Sequence, residues 1–486
     1  MPEEVVSALE AAESAARDGS WVAGFVSYDA AVGLDPHLHV PGRSGLPLVW
    51  FGVYETPHAW VKDASGVSVG EWEPSLSAEE HADRVETIKQ HIRDGDTYQV
   101  NLTMAMSAPF AGRAEALLAG MVDAQPLSYG ALIDLGDEQV VSVSPELLVD
   151  VEGRSVTMRP MKGTAPRGRS SIEDERNRRD LETSEKERSG NVMIVDMLRN
   201  DLGRVSEVGS VKVPALFEAE RYSTVWQLTS TITAELRPDV GFPELMAAVF
   251  PSGSVTGAPK VSTMGIIADV ETVARGPYCG AMGYIAPGGE SYEFSVAIRA
   301  GVVADGLLTY HTGGGITADS DPAVEYQECL WKALVVTAVR DQPDLIETMR
   351  YEPGVGIALL PGHLRRLSDS ARYWDIPFDP EAIGDALSAV ESHRPVKVRM
   401  ILFRNGDVEV EVEEIETVGE PVQLVLSERR IDPSEPHWFH KTHDRARYPV
   451  SEDGEVLMVN LDDEITETNI SSVMVRFGDT WVTPPL

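Results

Sequence analysis

Apolar positions recur at helical spacing over residues 3–17, and period-two alternation predicts strands at 21–28 and 48–54. Ser77 followed by Glu80 has the spacing of a capping box, so a helix is expected from Ser77 to about Asp94, with Gly95 as its stop. Strand-like alternation returns at 99–107, 139–144, 155–161, 278–285, 292–300 and 307–310, and helical spacing occupies 184–202, 243–249, 259–268 and 322–340. These elements follow no fixed β-α period, which predicts a large α+β unit rather than a doubly wound parallel sheet. Asp341-Gln342-Pro343-Asp344 ends the last helix in a polar, proline-containing segment and marks a boundary. Beyond it, a strand at 345–350, a Pro353-Gly354 turn, a helix near 361–374 and strands at 396–403, 408–414 and 422–427 predict a smaller α+β domain. The expected division is 1–342 and 343–486, without internal repeats.

Composition narrows the functional classes. A 486-residue chain that is 43% hydrophobic can bury a core in each of two or three domains, so disorder as the whole account is excluded. With 41 Lys+Arg against 78 Asp+Glu the formal charge is −37, which argues against nucleic acid or an anionic membrane as partner. An anionic ligand has to be drawn in by a local site. Two cysteines, Cys279 and Cys329, make neither a disulfide framework nor a zinc site, and no run approaches the apolar length of a membrane span, so a reduced, cytoplasmic protein is expected. Only nine of the cationic residues are lysines, so a lysine inside a chemical-looking motif stands out.

Lys162 is one such lysine. It follows the 155–161 alternation and precedes Gly163, and it becomes a candidate nucleophile if desolvation or a cationic neighbour such as Arg159 or Arg167 lowers its pKa. Glu146, at the end of another strand, is a candidate general acid if burial raises its pKa. On the 322–340 helix Glu325, Glu328 and Lys332 share one face. Spacing alone favours a solvated stripe there, and the alternative is a carboxylate pair for a hard cation such as Mg²⁺. Ser184 and Glu187 again have capping-box spacing, so capping is the plain role of Glu187. Gly313-Gly314-Gly315 joins a strand to the Glu325 helix and could turn backbone N–H groups toward an anion; a second glycine-rich stretch runs from Gly253 to Lys260. Neither has the spacing of a nucleotide-binding loop.

Taken together, Tyr98-Gln99-Val100-Asn101-Leu102-Thr103, Ser144-Pro145-Glu146, Arg159-Pro160-Met161-Lys162-Gly163-Thr164, Asn191 to Asp196, Arg199 to Arg204, Gly253 to Lys260, Arg275 to Gly280, Ala297-Ile298-Arg299, Gly313 to Ile316 and Glu325 to Glu328 resemble, in order, the motifs of the chorismate-utilising enzymes. The similarity covers roughly residues 20–340 and lies closest to the aminodeoxychorismate branch, because anthranilate and isochorismate synthases carry a small residue where this chain has Lys162. The resemblance implies a large chorismate-binding fold. It implies that Tyr278, Arg299, Lys332, Thr256 and the Gly313, Gly314 and Gly315 backbone bind substrate, and that Glu325 and Glu328 hold Mg²⁺. It further implies Lys162 as covalent nucleophile, Glu146 as acid, and ammonia supplied by a separate glutamine amidotransferase subunit. Gly190 stands where the family has a glutamate, which shifts the remaining metal-ligand expectation to Glu187, and Gln227 stands where many members have histidine. The alternatives are another chorismate-utilising activity, or a chorismate-binding scaffold with little turnover.

From about residue 345 the chain resembles the class IV aminotransferases, through Leu345 to Arg350, His363 to Leu367, Lys441 to Arg445 and Glu464 to Thr468. The similarity implies pyridoxal phosphate, with Lys441 for the Schiff base, Arg366 for the phosphate and Glu467 for the pyridine nitrogen. Ser472 stands where asparagine is usual, and the chain ends before the family's later glycine-rich phosphate loop, so this domain is expected to be partial.

Overall fold

A computed structural model of the chain describes all residues except 126–128, 224, 335, 337–341, 416–420 and 485–486. It is a mixed helix and strand protein, as the patterning predicts. The chain divides into two compact units: Met1–Ala165 with Arg179–Arg340, and Pro166–Arg178 with Asp341–Leu486. The second unit therefore includes a segment far upstream of its main body.

Within the first unit, and among the described residues, a nine-stranded sheet runs in the order Met161–Pro166, Val225–Glu235, Ser155–Arg159, Leu147–Glu152, Ser291–Val296, Ala281–Ile285, Trp21–Val26, Val49–Tyr54, with Lys212–Arg221 also paired to Val225–Glu235. An eight-stranded sheet runs Gly257–Ala258, Gln99–Ala111, Leu307–Ile316, Ala300–Ala304, Glu138–Ser144, Tyr129–Asp134, with Ser68–Val69 and Glu73–Pro74 added along Gln99–Ala111. The elements that build the site are labelled as follows: β1, Gln99–Ala111; β2, Met161–Pro166; α1, Glu185–Gly203; β3, Val225–Glu235; β4, Leu307–Ile316; and α2, Pro322–Leu334. The apolar stripe of α1, Ile194, Val195, Leu198 and Leu202, is buried in the larger core, together with Phe242, Phe294 and Met264.

Local chemistry sets many boundaries. In the helix Ala78–Asp94 Ser77 accepts from the Glu80 N–H, the Glu80 carboxylate accepts from the Ser77 N–H at 2.8 Å, and Gly95 ends the helix at φ +83°. Three sequence expectations need correction. The 155–161 strand breaks at Pro160, which has no N–H for a ladder, so Lys162 lies inside a separate edge strand, β2, instead of at a strand end. The 292–300 strand also splits. Its first part joins the large sheet and Ala300–Ala304 joins the other, with Arg299 at the corner at φ +50°. Finally, Gly313, Gly314 and Gly315 do not form a loop. They extend β4 and pair with Thr103, Leu102 and Asn101 of β1.

The second unit contains a four-stranded sheet in the order Gly356–Ile357, Leu345–Glu352, Val396–Leu402, Val408–Glu414, with helices Leu360–Trp374 and Pro380–Ser388 packed around Leu367, Met400 and Leu402. A three-stranded sheet joins Leu424–Ile431, Glu455–Asn460 and Ile465–Thr468. The upstream segment is fastened into this unit. Arg167 forms a bidentate, buried pair with Asp174 at 2.7 and 2.8 Å, Arg169 donates to the Pro433 carbonyl at 3.0 Å, and the Arg169 guanidinium lies 4.9 Å from the centre of the Phe439 ring. A Cβ on Gly168 would fall 2.0 Å from the Asp174 nitrogen, so only glycine fits that turn. Among the described residues no helix is long and apolar enough to cross a membrane.

Candidate active site

The first unit holds a cavity of about 710 Å³, walled by β1, β2, β4, the first turns of α1, the inner face of α2 and the loop at Ser254-Val255. Lys162, Glu146, Tyr278, Arg299, Lys332, Glu325, Glu328, Glu187 and the three glycines of β4 all line it, although they come from seven separate stretches of sequence. Thr256 does not. Its hydroxyl donates to the Ser252 carbonyl at 3.0 Å and it is fully buried, while Ser254 occupies the cavity wall instead.

The glycines of β4 have a steric explanation. A Cβ at Gly313 would lie 2.6 Å from the Leu102 carbonyl oxygen, one at Gly314 2.9 Å from Glu325 Oε2, and one at Gly315 3.0 Å from Gln99 Nε2 and closer still to Lys162 Nζ. The strand is bare so that β1 and the side chains of Lys162, Gln99 and Glu325 can close upon it. Gly163, at φ +104°, likewise lets α1 approach, since a Cβ there would meet Glu187 at 3.2 Å. Gly190 differs: a Cβ there would meet only Lys162 Cγ, at 3.8 Å, so packing does not require glycine at that point.

Lys162 is held at its backbone by Asn191 of α1, whose amide donates to the Lys162 carbonyl at 3.3 Å and to the Leu228 carbonyl of β3 at 3.4 Å, and accepts from Ser230 at 2.6 Å. Burial and the neighbouring Lys332 cation push the Lys162 ammonium toward its neutral form, against the pull of Glu146, Glu328 and Glu325. The cationic neighbour is thus Lys332, not Arg159, which pairs with Glu220, nor Arg167, which pairs with Asp174. Burial raises Glu146 to about 7, and Ser254, Lys162 and the Met161 backbone restrain the rise. The Glu146 carboxyl, 3% exposed, can therefore hold a proton at neutral pH.

On α2, Glu325 accepts from Ser320 at 2.7 Å, and burial together with the Glu328 charge raises its pKa. Burial opposes ionisation of Glu328 too, but Lys332, at 2.6 Å, with Lys162 and Lys186, holds its carboxyl below the usual range. Lys332 also donates to the Gly313 carbonyl at 2.7 Å. Ser184 caps α1 by accepting from the Glu187 N–H at 3.3 Å, but the Glu187 carboxylate makes no return bond to the cap; it turns over Gly163 into the cavity wall. The Glu325 and Glu328 carboxylates of α2 are oxygen ligands of the kind a hard cation takes, with Glu187 of α1 elsewhere on the same cavity wall. Among the described residues no three His, Cys, Asp or Glu side chains converge to bind a metal by themselves, so water and substrate would complete its shell, as is usual for Mg²⁺.

The sequence reading passed over several residues. Gln99 is completely buried on the cavity wall with neither amide atom hydrogen-bonded among the described residues, and its place on the inward face of β1 was the available signal. His311 stacks on Tyr278 with ring centres 5.4 Å apart, and burial lowers it to about 4, so the ring is neutral. Gln125 is the third: its amide oxygen accepts from Arg299, the substrate-binding candidate at the sheet corner.

In the second unit Lys441, Arg366 and Glu467 come together with Glu347 and Arg445. Desolvation lowers the Lys441 ammonium, opposed by Glu347 and Glu467 and aided by Arg366 and Arg445. Burial raises Glu467 against the pull of Lys441 and Arg445. The Arg366 fork rests on buried Glu347 at 2.7 and 2.5 Å, with His363 on the same carboxylate at 2.7 Å. A lysine, a carboxylate and two guanidinium groups within electrostatic reach of one another fit a phosphorylated pyridine aldehyde.

Residues 59–338 match the family described as chorismate binding enzyme, and residues 344–486 match amino-transferase class IV. Anthranilate synthase component 1 of Streptomyces coelicolor is 41% identical over 317 residues, covering 65% of this chain and 61% of that protein. Aminodeoxychorismate synthase component 1 of Escherichia coli K12 is 37% identical over 258 residues, covering 53% of this chain and 57% of that protein. The chain thus spans less than two thirds of the length of either relative. Among solved structures, anthranilate synthase component I from Streptococcus pneumoniae aligns with a TM-score of 0.61 at 28% identity, over 68% of this chain and 85% of that one.

Proposed function

The chain belongs to the chorismate-binding enzyme family, and from that premise we propose that it aminates chorismate at ring carbon C4, forming 4-amino-4-deoxychorismate, with Lys162 as nucleophile. The observation that carries this reading is a lysine pushed toward neutrality inside the cavity, beside a carboxyl buried enough to hold a proton near neutral pH. Relatives of similar identity bear both the anthranilate and the aminodeoxychorismate name, so the choice of branch rests on Lys162.

In this reading neutral Lys162 Nζ bonds to ring C2 as the double bond shifts and the C4 hydroxyl departs as water with the Glu146 proton. Ammonia then bonds to C4, the double bond returns, and Lys162 leaves as the free amine. The proton shed by the new ammonium restores Glu146, so chorismate and ammonia give product and water. Arg299, Lys332 and the bare β4 backbone would receive the substrate carboxylates. Gln99, an amide that cannot take a proton, suits a nucleophile that already carries a lone pair, such as ammonia. Glu325, Glu328 and Glu187 would hold Mg²⁺, whose charge offsets that of the substrate. Ammonia would come from a separate glutamine amidotransferase subunit, since Cys279 and Cys329 are both buried, with thiols pushed up to about 12 and about 11. Pyridoxal phosphate, held by Lys441, Arg366 and Glu467, would supply an electron sink in the second unit.

The test incubates the chain with chorismate, Mg²⁺ and an ammonium salt and follows products by mass spectrometry. 4-Amino-4-deoxychorismate is expected. Anthranilate or isochorismate would overturn the branch, and tight chorismate binding by calorimetry without turnover would point to a scaffold.

A further inference from the structure

From Ser254 on the cavity wall a short run of hydroxyls leads inward, and the chemistry above does not use it. Ser254 donates to Glu146 Oε1 at 2.5 Å, and the Ser252 and Ser254 oxygens are 2.9 Å apart. All three side chains are buried, with Ser252 3% and Ser254 6% exposed. Glu146 Oε1 and the two hydroxyls form one line, and the donor in the Ser252–Ser254 contact follows from what Ser254 does with its proton. With Ser254 donating to Glu146 its single proton is used, and in that state Ser252 donates to Ser254, while the Ser252 oxygen accepts the Ser254 N–H at 3.4 Å. The loop is pinned in turn by Thr256, whose hydroxyl holds the Ser252 carbonyl.

We propose that Ser252 and Ser254 are positioning residues for the acid. Their two-hydroxyl chain fixes Glu146 Oε1 as an acceptor, which leaves the transferable proton on Oε2, and it takes up the carboxylate charge once that proton has gone to the departing hydroxyl. The inference rests on the reading of Glu146 as the acid. Aligned hydroxyls polarise one another, and a donor already in place has no reorganisation to make as charge develops. The other groups facing Glu146 are the Lys162 ammonium and the Met161 N–H on β2 and the Cys279 thiol, none of which changes with the serines.

The test measures rates from pH 5 to 9 at fixed free ammonia for the wild type, S254A, S252A, S254T and E146Q. Removal of Ser254 takes away a donor that favours the carboxylate, so Glu146 becomes a weaker acid. S254A should lose about 10- to 100-fold in kcat with little change in KM, and its alkaline limb should move upward. S252A should move the limb the same way with a loss of about threefold, and S254T should restore both. A purely structural role would lower the rate without moving the limb. An unmoved limb in S254A and S252A, with E146Q inactive, overturns the proposal alone. A wild-type product other than 4-amino-4-deoxychorismate, or an active E146Q, overturns the reading beneath it. If S254A does not fold, S252A and S254T decide.

Discussion

Lys162 and Lys441 are both lysines driven toward the neutral form by loss of water, but their surroundings treat that form differently. Lys162 lies on a cavity wall with a second lysine as neighbour and a protonatable carboxyl facing it. Lys441 is only partly withdrawn from solvent and stands among two carboxylates and two arginines. The first arrangement prepares an amine to attack and an acid to release a leaving group. The second surrounds an amine with groups of both signs, suited to a ligand that brings its own charges. A depressed lysine is therefore a shared starting point, and the neighbours specify the chemistry.

Four experiments break or sharpen that contrast. Lys162→Ala should abolish amination by at least about 10³-fold, read as product formed from chorismate and ammonium. Residual activity near wild type would put the two lysines on an equal footing. Glu146→Gln should cost about 10²- to 10⁴-fold. Because the acid works protonated, wild-type activity should fall as pH rises through about 7, and the variant's residual rate should lack that limb. Lys332→Met removes the like charge that depresses Lys162, so the nucleophile's pKa rises, the acidic limb moves to higher pH, and the rate at neutral pH drops by about tenfold. Lys441→Ala should leave amination within about twofold of wild type while abolishing borohydride trapping of pyridoxal phosphate on the chain. A lost amination rate would show that the two lysines share one function.

Much of the fold was legible where local chemistry decides it. The Ser77, Glu80 and Gly95 signals fix a helix without reference to anything distant. The corner at Arg299 was hidden because apolar alternation runs on through a bend that only the two sheets together define. The β4 glycines suggested a loop because their reason is tertiary: the chain is bare where Lys162, Gln99 and Glu325 arrive from elsewhere. The site was legible to the extent that motifs mark it. Within the glycine-rich stretch spacing could not choose between Thr256 and Ser254, since that depends on which side chain the 3-10 turn at Gly253–Val255 directs to Glu146. Nor could the sequence show that Lys332, far along the chain, would replace Arg159 and Arg167 as the neighbour of Lys162.

The Pro166–Arg178 segment has a consequence for how the protein comes into being. Its partners, Pro433 and Phe439 among them, are made long after it. At about 5–20 residues per second, a ribosome needs on the order of ten to fifty seconds to travel from Arg169 to Phe439. For that interval the segment lacks the carbonyl and the ring that receive Arg169, so the second unit, unlike the first, waits for the far end of the chain before its earliest piece can be locked in place.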